Sequence, residues 1–262
     1  MNNLKNLDQL NPQASKLIEP YLNRLLEIHQ DNIVSVFVCG SAAGADYAPK
    51  VSNINLFVVL EQLGLKDLQK SLKVVSRGIR NKINAPLFLT RKHIQTSTDV
   101  FPIEFLEMKE EHVLLYGEDL LTVLEINPAN IRLFCEEQIK GKLIRIRQAY
   151  LEIGLKRKGI EALLKESLSS LTPVFRNLIR LSRGIDPPNS FKGGVLKGQT
   201  PPIKKEDIYL QLAQEFELEQ NVFLAILRDT KNDEKIDAQD VEVFFERYIA
   251  QIQKLAIAVD QL

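Results

Sequence analysis

The chain has 262 residues, of which 45% are hydrophobic and 26% are charged, and its formal net charge at pH 7 is zero. This length accommodates one large domain or two modest ones, and the composition is typical of a soluble globular protein. The balanced charge gives no strong signal for a nucleic-acid partner. The N-terminus lacks the apolar region of a signal peptide, and the uninterrupted apolar runs, such as Leu56–Leu60, are far too short to span a membrane. We therefore expect a cytoplasmic protein without membrane association.

The first third of the chain alternates between helical and strand patterns. Apolar residues recur at helical spacing in Ala14–His29, which predicts a helix. The continuous apolar segments Ile33–Cys39 and Asn55–Leu60 predict two buried strands. Helical spacing returns in Leu65–Ile83 and predicts a second helix.

Shorter elements follow this second helix. Apolar or alternating residues predict strands at Pro86–Thr90, Pro102–Met108 and His112–Tyr116. Residues Gly117–Asp119 are expected to cap a helix that runs through Leu124. Helices interleaved with strands predict an α/β (α+β) domain with a mixed sheet.

A domain boundary is expected near Pro128, because proline interrupts a helical pattern and is common at the first position of a new helix. We place the domains at 1–126 and 127–262. The second domain is expected to be an all-α helical bundle, with a Gly- and Pro-rich loop at Gly184–Pro202. Its helices are predicted at Ile131–Leu155, Ile160–Leu171, Pro173–Arg183, 206–228 and 237–259.

Charge is distributed unevenly within the predicted bundle. Residues 140–205 contain 15 Lys and Arg against 4 Asp and Glu, whereas residues 206–262 contain 5 against 13. This contrast predicts that a basic and an acidic helical segment pack against each other. A phosphate-binding face on the basic segment is the alternative interpretation.

The most informative motif combines Gly40-Ser41 with Ser52-Asn53-Ile54-Asn55-Leu56. Side chains two residues apart in a strand project to the same face. We therefore expect Asn53 and Asn55 side by side at one end of a strand, with Ile54 and Leu56 pointing into the core.

This motif resembles the signature of the DNA polymerase β-like nucleotidyltransferase superfamily, in which Gly-Ser precedes Ser-Asp-x-Asp-Leu by about ten residues. Both aspartates of that pattern are asparagines in this chain, at Asn53 and Asn55. The predicted two-domain layout also resembles small-molecule and aminoglycoside adenylyltransferases. The resemblance implies a nucleotidyltransferase-like domain followed by a helical bundle.

The resemblance also implies a set of site residues. Gly40, Ser41 and Ser52 correspond to positions that hold a nucleoside triphosphate, with backbone N–H groups facing its phosphates. Asn53 and Asn55 correspond to the ligands of a catalytic Mg²⁺, an ion that prefers carboxylate and phosphate oxygens. Asparagine keeps the shape of aspartate but removes one negative charge at each position, so we expect metal binding to be degraded.

The superfamily places a third carboxylate on a later strand, beside the aspartate pair. Glu104, flanked by apolar residues in the segment predicted as a strand, matches this position and would act as metal ligand or general base. On this prediction, the side chain of Glu104 faces the same cleft as Asn53 and Asn55.

These residues support three hypotheses. The first is a nucleotide-binding or interaction pseudoenzyme with a degraded metal site. The second is an active Mg²⁺-dependent nucleotidyltransferase that acts on a small hydroxyl acceptor and uses Glu104. The third is an interaction protein whose partner is another protein, for example a bacterial toxin. The basic segment argues against polycationic aminoglycosides as acceptors.

Overall fold

The computed structural model divides the chain into two units, Met1–Ile126 and Asn127–Leu262. Within the described part of the chain, no helix is long and apolar enough to cross a bilayer. The residues described are 4–44, 52–154, 156–184, 201–202, 204–231, 233, 235–236 and 241–262. Most of the predicted loop after Gly184 lies outside these residues.

The first unit contains a mixed sheet, as predicted. Its strands are β1 (Ile33–Cys39), β2 (Asn55–Leu60), β3 (Leu87–Thr90) and β4 (His112–Gly117), in the spatial order β3-β2-β1-β4. β1 is antiparallel to both β2 and β4, whereas β2 and β3 run parallel. The antiparallel pairing brings the end of β1 and the starts of β2 and β4 to the same edge of the sheet.

Two helices, α1 (Pro12–His29) and α2 (Leu65–Arg80), contribute to the core on one face of this sheet. α1 and α2 pack closely against each other. A Cβ atom at Gly78 would lie only 2.6 Å from the ring of Tyr21. The core combines residues from both helices with alternate residues of the strands. It includes Ile18, Leu22, Leu25, Val36, Val38, Leu56, Val58 and Val74.

Two sequence-based assignments in this unit are wrong. The segment predicted as a strand at Pro102–Met108 is a helix, α4 (Pro102–Glu110), preceded by a short helix, α3 (Arg91–Gln95). Pro102 occupies the first turn of α4, where its missing N–H costs nothing. The helix predicted to end at Leu124 is instead a turn that begins after β4, in which the Asp119 carboxylate accepts hydrogen bonds from the amide and hydroxyl of Thr122.

The second unit is helical. Its helices are α5 (Pro128–Ile153), α6 (Arg157–Ser182), α7 (Lys205–Glu215), α8 (Gln220–Lys231) and α9 (Val241–Ala258). Of the helix predicted at 237–259, residues 237–240 lie outside the described residues.

Two helix boundaries in this unit differ from the predictions. Residues 157–182 form one helix that passes through Pro173 rather than two helices. A proline inside a helix costs about 3 kcal/mol or more, and burial on both sides of it, including Leu171 and Phe175, offsets that cost. The helix predicted at 206–228 is divided into α7 and α8, because Glu217 has a φ of 52° that no helix tolerates.

The predicted packing of the basic segment against the acidic segment is confirmed by ion pairs between them. Lys140 of α5 lies 2.6 Å from Asp260. Lys165 of α6 lies 3.0 Å from Asp229 of α8, whose side chain is buried. Arg183 lies 2.6 Å from Glu215 of α7. These pairs account for part of the basic segment, while a phosphate-binding role for other cations stays a prediction.

Candidate functional site

The motif residues lie where three strands meet at one edge of the sheet. Cys39, the last residue of β1, pairs with Asn55 at the start of β2 and with His112 at the start of β4. Paired residues project to the same face of a sheet. Asn55 and His112 therefore flank Cys39 in one row, and Gly40 follows directly.

Gly40 begins a short 3₁₀ turn, Gly40–Ala42, with a φ of +71° that favours glycine over other residues. Its amide donates a hydrogen bond to the carbonyl oxygen of Glu111, at 3.2 Å. A side chain at Gly40 would lie 3.7 Å from Nδ2 of Asn55. The tertiary structure thus places the Gly40-Ser41 turn directly beside the amide group of Asn55.

The alternation predicted for residues 53–56 is present. Asn53 and Asn55 are exposed, whereas Ile54 and Leu56 are buried. β2 begins at Asn55, so Asn53 precedes the strand. The prediction that Asn53 and Asn55 lie side by side in one strand is therefore wrong for Asn53. Ser52 is half-buried just upstream.

A further residue, Asn84, contacts the motif and was not anticipated. Its Nδ2 donates a hydrogen bond to Oδ1 of Asn55, at 2.7 Å. The backbone holds Asn84 in place, because its amide donates to the carbonyl oxygen of Ile54 at 2.9 Å while the Ile54 amide donates to Lys82. With Oδ1 engaged, the Nδ2 group of Asn55 faces Gly40. No sequence pattern marks Asn84, which is separated from Asn55 by 29 residues.

The expected position of Glu104 is wrong. Glu104 lies in the first turn of helix α4, where it is exposed, and not on a strand beside Asn55. The strand adjacent to β2 is β3, and its residue Leu87 pairs with Phe57. Because Phe57 lies two residues beyond Asn55, Leu87 projects to the same face as Asn55. β3 itself contains no acidic residue, so this neighbouring strand does not supply the expected third carboxylate.

The side chains of Asn53 and Asn55 do not fit a divalent metal ion as ligands. Mg²⁺ requires near-octahedral oxygen coordination and usually one or two carboxylates, whereas Asn53 and Asn55 offer neutral amides. The Asn55 oxygen is also hydrogen-bonded to Asn84. Among the described residues, no group of three or more His, Cys, Asp or Glu side chains is arranged to hold a metal ion.

His112 supports this edge of the sheet from β4. Its Nδ1 lies 3.0 Å from the carbonyl oxygen of Met108, and its Nε2 lies 3.3 Å from Oδ2 of Asp119. Its ring makes an edge-to-face contact with Phe37. Burial alone would raise the pKa of Asp119, but hydrogen bonds from Thr122 and His112 outweigh it and hold that pKa below its usual value. We assign these contacts a structural role, because they fix the start of β4 beside Gly40.

The comparison with solved structures bears on the fold. The chain is similar to the spectinomycin adenyltransferase AAD(9) from Enterococcus faecialis, whose crystal structure was determined with ATP and spectinomycin. The two align with a TM-score of 0.53 and 11% sequence identity, over 91% of this chain and 98% of that one. The chain has a nucleotidyltransferase-like fold. At this low identity the likeness concerns the fold alone. No family model matches the sequence, and no curated protein matches it.

Proposed function

We propose that this protein uses its nucleotidyltransferase-like fold to bind a nucleotide and does not catalyse metal-dependent nucleotidyl transfer. The observation that carries this proposal is the state of the Asn55 side chain. Its oxygen accepts a hydrogen bond from Asn84, and its Nδ2 donor group faces the Gly40-Ser41 turn. The side chain at this position therefore offers a donor toward the turn, where a metal site would need an acceptor.

Electrostatics supports the loss of the metal. Two opposite unit charges 4 Å apart attract by roughly 4 kcal/mol at an effective dielectric constant of 20. Replacing two aspartates by asparagines removes two such attractions at Asn53 and Asn55. Mg²⁺ gives up its water ligands reluctantly, and neutral amides provide little to compensate for that loss. The strand beside β2 contains no acidic residue, so it supplies no third carboxylate.

Hydrogen-bond donors at the same position support nucleotide binding. The amide of Gly40 is bonded to Glu111, but the next N–H group of a helical turn, here that of Ser41, has no partner within the turn and can donate to phosphate oxygens. The hydroxyl of Ser41 and the Nδ2 group of Asn55 would add side-chain donors to such a phosphate. Ser52, just before Asn55 in the sequence, would be a further donor. The similar adenyltransferase was solved with ATP, which makes ATP the first ligand to test.

Calorimetric titration with ATP tests the proposal. We expect binding of similar affinity with Mg²⁺ and with chelator, because the proposed contacts are made by N–H and O–H donors. Asn55→Asp should weaken binding in chelator about tenfold or more, since a carboxylate beside Gly40 repels phosphate. Gln13→Glu, at an exposed position in α1, introduces the same change in net charge and should leave binding unchanged.

A transfer assay distinguishes this proposal from an active enzyme. The wild-type protein is incubated with ATP, Mg²⁺ and a panel of small hydroxyl compounds, and the release of pyrophosphate is measured. We expect no release above the uncatalysed background. Mg²⁺-dependent release that is lost in Asn55→Ala would overturn the proposal and establish the protein as a nucleotidyltransferase. The absence of any ATP binding would also contradict it.

A further inference from the structure

The leucine-rich face of helix α2 points away from the core. Leu65, Leu68, Leu72 and Ile79 are 71%, 41%, 63% and 58% exposed. Val75, between the last two, is half-buried and packs partly against the core. We call these five residues the α2 stripe. Contiguous exposed apolar patches of this kind mark interaction sites in soluble proteins.

The stripe is exposed because α2 uses a different face to contact α1. The residues of α2 that are buried are Ser71, Val74 and Gly78. Gly78 leaves space for the ring of Tyr21, and the hydroxyl of Ser71 lies 2.7 Å from Nε2 of His29. Small residues on this face allow the two helices to approach closely, so the larger leucines are left on the outside.

The spacing of the stripe is that of a coiled-coil seam. Its residues follow one another at intervals of three, four, three and four positions, which is the a/d pattern of a heptad repeat. A seam of this type buries its apolar residues by packing against a second helix with the same repeat. The pattern covers nearly the full length of α2.

The charges on α2 indicate which partner fits. Its exposed cations are Lys66, Lys70, Lys73, Arg77 and Arg80. In the heptad frame with Leu65 at position a, all five fall at positions b and f, on the side of the helix away from the a/d seam. The exposed residues that flank the stripe are the neutral Gln69 and Ser76. The cations are therefore too far round the helix to meet acidic groups of a partner or the headgroups of a membrane that covers the stripe. A second copy of the same neutral seam meets no repulsion.

We propose that the α2 stripe forms an antiparallel seam with the α2 stripe of a second copy of this chain, giving a twofold-symmetric dimer. Leu72 lies at the centre of the stripe and would pack against its own counterpart. Leu65 would then pack against Ile79 of the other copy, and Leu68 against Val75. Antiparallel pairing also aligns the helix dipoles favourably. This contact is independent of the proposed nucleotide site.

The molar mass in solution tests the dimer. Multi-angle light scattering on the full chain at tens of micromolar should give twice the monomer mass of 29.8 kDa. The double variant Leu68→Glu with Leu72→Glu should give the monomer mass with unchanged circular dichroism, because both side chains are exposed. Lys73→Glu, exposed but outside the stripe, is the matched control and should remain dimeric. A monomeric wild type, or a dimer that persists in the double variant, would overturn the proposal.

Disulfide cross-linking tests the antiparallel register. Leu72→Cys should form a covalent dimer on mild oxidation, because the two residues face each other across the twofold axis. Leu65→Cys should not, since its two copies would lie about 21 Å apart along the helices, beyond the reach of a disulfide. The native cysteines, Cys39 and Cys135, are buried and should not cross-link. Equal cross-linking of both variants would overturn the antiparallel arrangement. If the wild type is a monomer and binds anionic vesicles through the stripe, the dimer proposal is wrong and the partner of the stripe is a lipid surface.

Discussion

Asn84 donates a hydrogen bond to the side-chain oxygen of Asn55 across 2.7 Å, and this contact determines which group Asn55 turns toward Gly40. An aspartate at position 55 would accept the same hydrogen bond and still have a second oxygen for a metal. Asparagine presents an N–H donor there instead. On our proposal, an asparagine at this position therefore favours anions where an aspartate would favour cations, without a change of shape.

Restoring both acids should restore metal binding. In the double variant Asn53→Asp with Asn55→Asp, we expect Mg²⁺ to raise the melting temperature, whereas the wild type should not respond. In chelator, repulsion between two exposed carboxylates should lower the free energy of unfolding by about 1 kcal/mol. Thermal denaturation with Mg²⁺ and with chelator measures both effects. Equal melting temperatures in the two conditions would show that the site has lost its metal-binding geometry altogether.

The same double variant should still fail to transfer a nucleotide. Glu104 lies on helix α4, and β3, whose Leu87 projects to the same face as Asn55, contains no acidic residue. This strand therefore supplies no third carboxylate. Adding Leu87→Glu to the double variant supplies an acid on the adjacent strand. We expect any Mg²⁺-dependent release of pyrophosphate only in this triple variant. Release by the double variant alone would show that a third carboxylate is unnecessary.

Removing the amide of Asn84 should disturb Asn55 without unfolding the protein. Both side chains are exposed, so Asn84→Ala should lower the free energy of unfolding by no more than about 1 kcal/mol. Because Asn55 then rotates freely, its donor group faces Gly40 only part of the time, and ATP affinity should fall several-fold. Asn81→Ala, which removes a hydrogen bond to Arg77 at the end of α2, is the control. A larger loss of affinity in the control would contradict our assignment.

His29 should make the stability of the first unit sensitive to mild acid. Burial lowers the pKa of His29, with Asp67 opposing this effect and Lys70 adding to it. As the pH falls below about 6.5, the unfolded chain binds a proton at this residue before the folded one does. The stability present above that pH is therefore lost on acidification, until the pH reaches the lower folded-state pKa.

Urea denaturation at pH values on either side of 6.5 measures this effect. His29→Gln keeps a polar group opposite Ser71 and should lose less stability in this pH range than the wild type. The pKa values of Asp67 and Asp119 lie below their usual values, so these carboxylates take up protons, and affect stability, only at lower pH. His93→Gln, at an exposed position, should follow the wild-type curve. Identical curves for all three proteins would exclude His29 as the cause.

Two glycines in helices should respond oppositely to replacement by alanine. A methyl group at Gly78 would come within 2.6 Å of the Tyr21 ring, so Gly78→Ala should lower the free energy of unfolding by about 1–3 kcal/mol. Gly141 in α5 has no atom within 4 Å of the position its methyl group would take. Gly141→Ala should raise the free energy of unfolding by about 0.5–1 kcal/mol. Chemical denaturation of the two variants would test the close packing of α1 and α2.

Local patterns were sufficient for much of the fold. Continuous apolar segments identified β1 and β2, because strands buried on both faces need apolar residues at every position. The alternation around Ile54 placed Asn53 and Asn55 on the surface, since side chains in an extended chain point to opposite sides. The segment at 102–108 was misassigned because Ile103 and Phe105 alternate with Glu104, a pattern that a short amphipathic helix also produces.

Long-range contacts decided the rest. The sequence alone determined that α2 has an apolar face, but the fit of Gly78 against Tyr21 decided that this face points outward. The sequence showed that two aspartates of the resembling motif are asparagines, but the return of the chain at Asn84 decided how Asn55 is oriented. In both cases the deciding partner is distant in sequence, and only the tertiary structure brings such residues into contact.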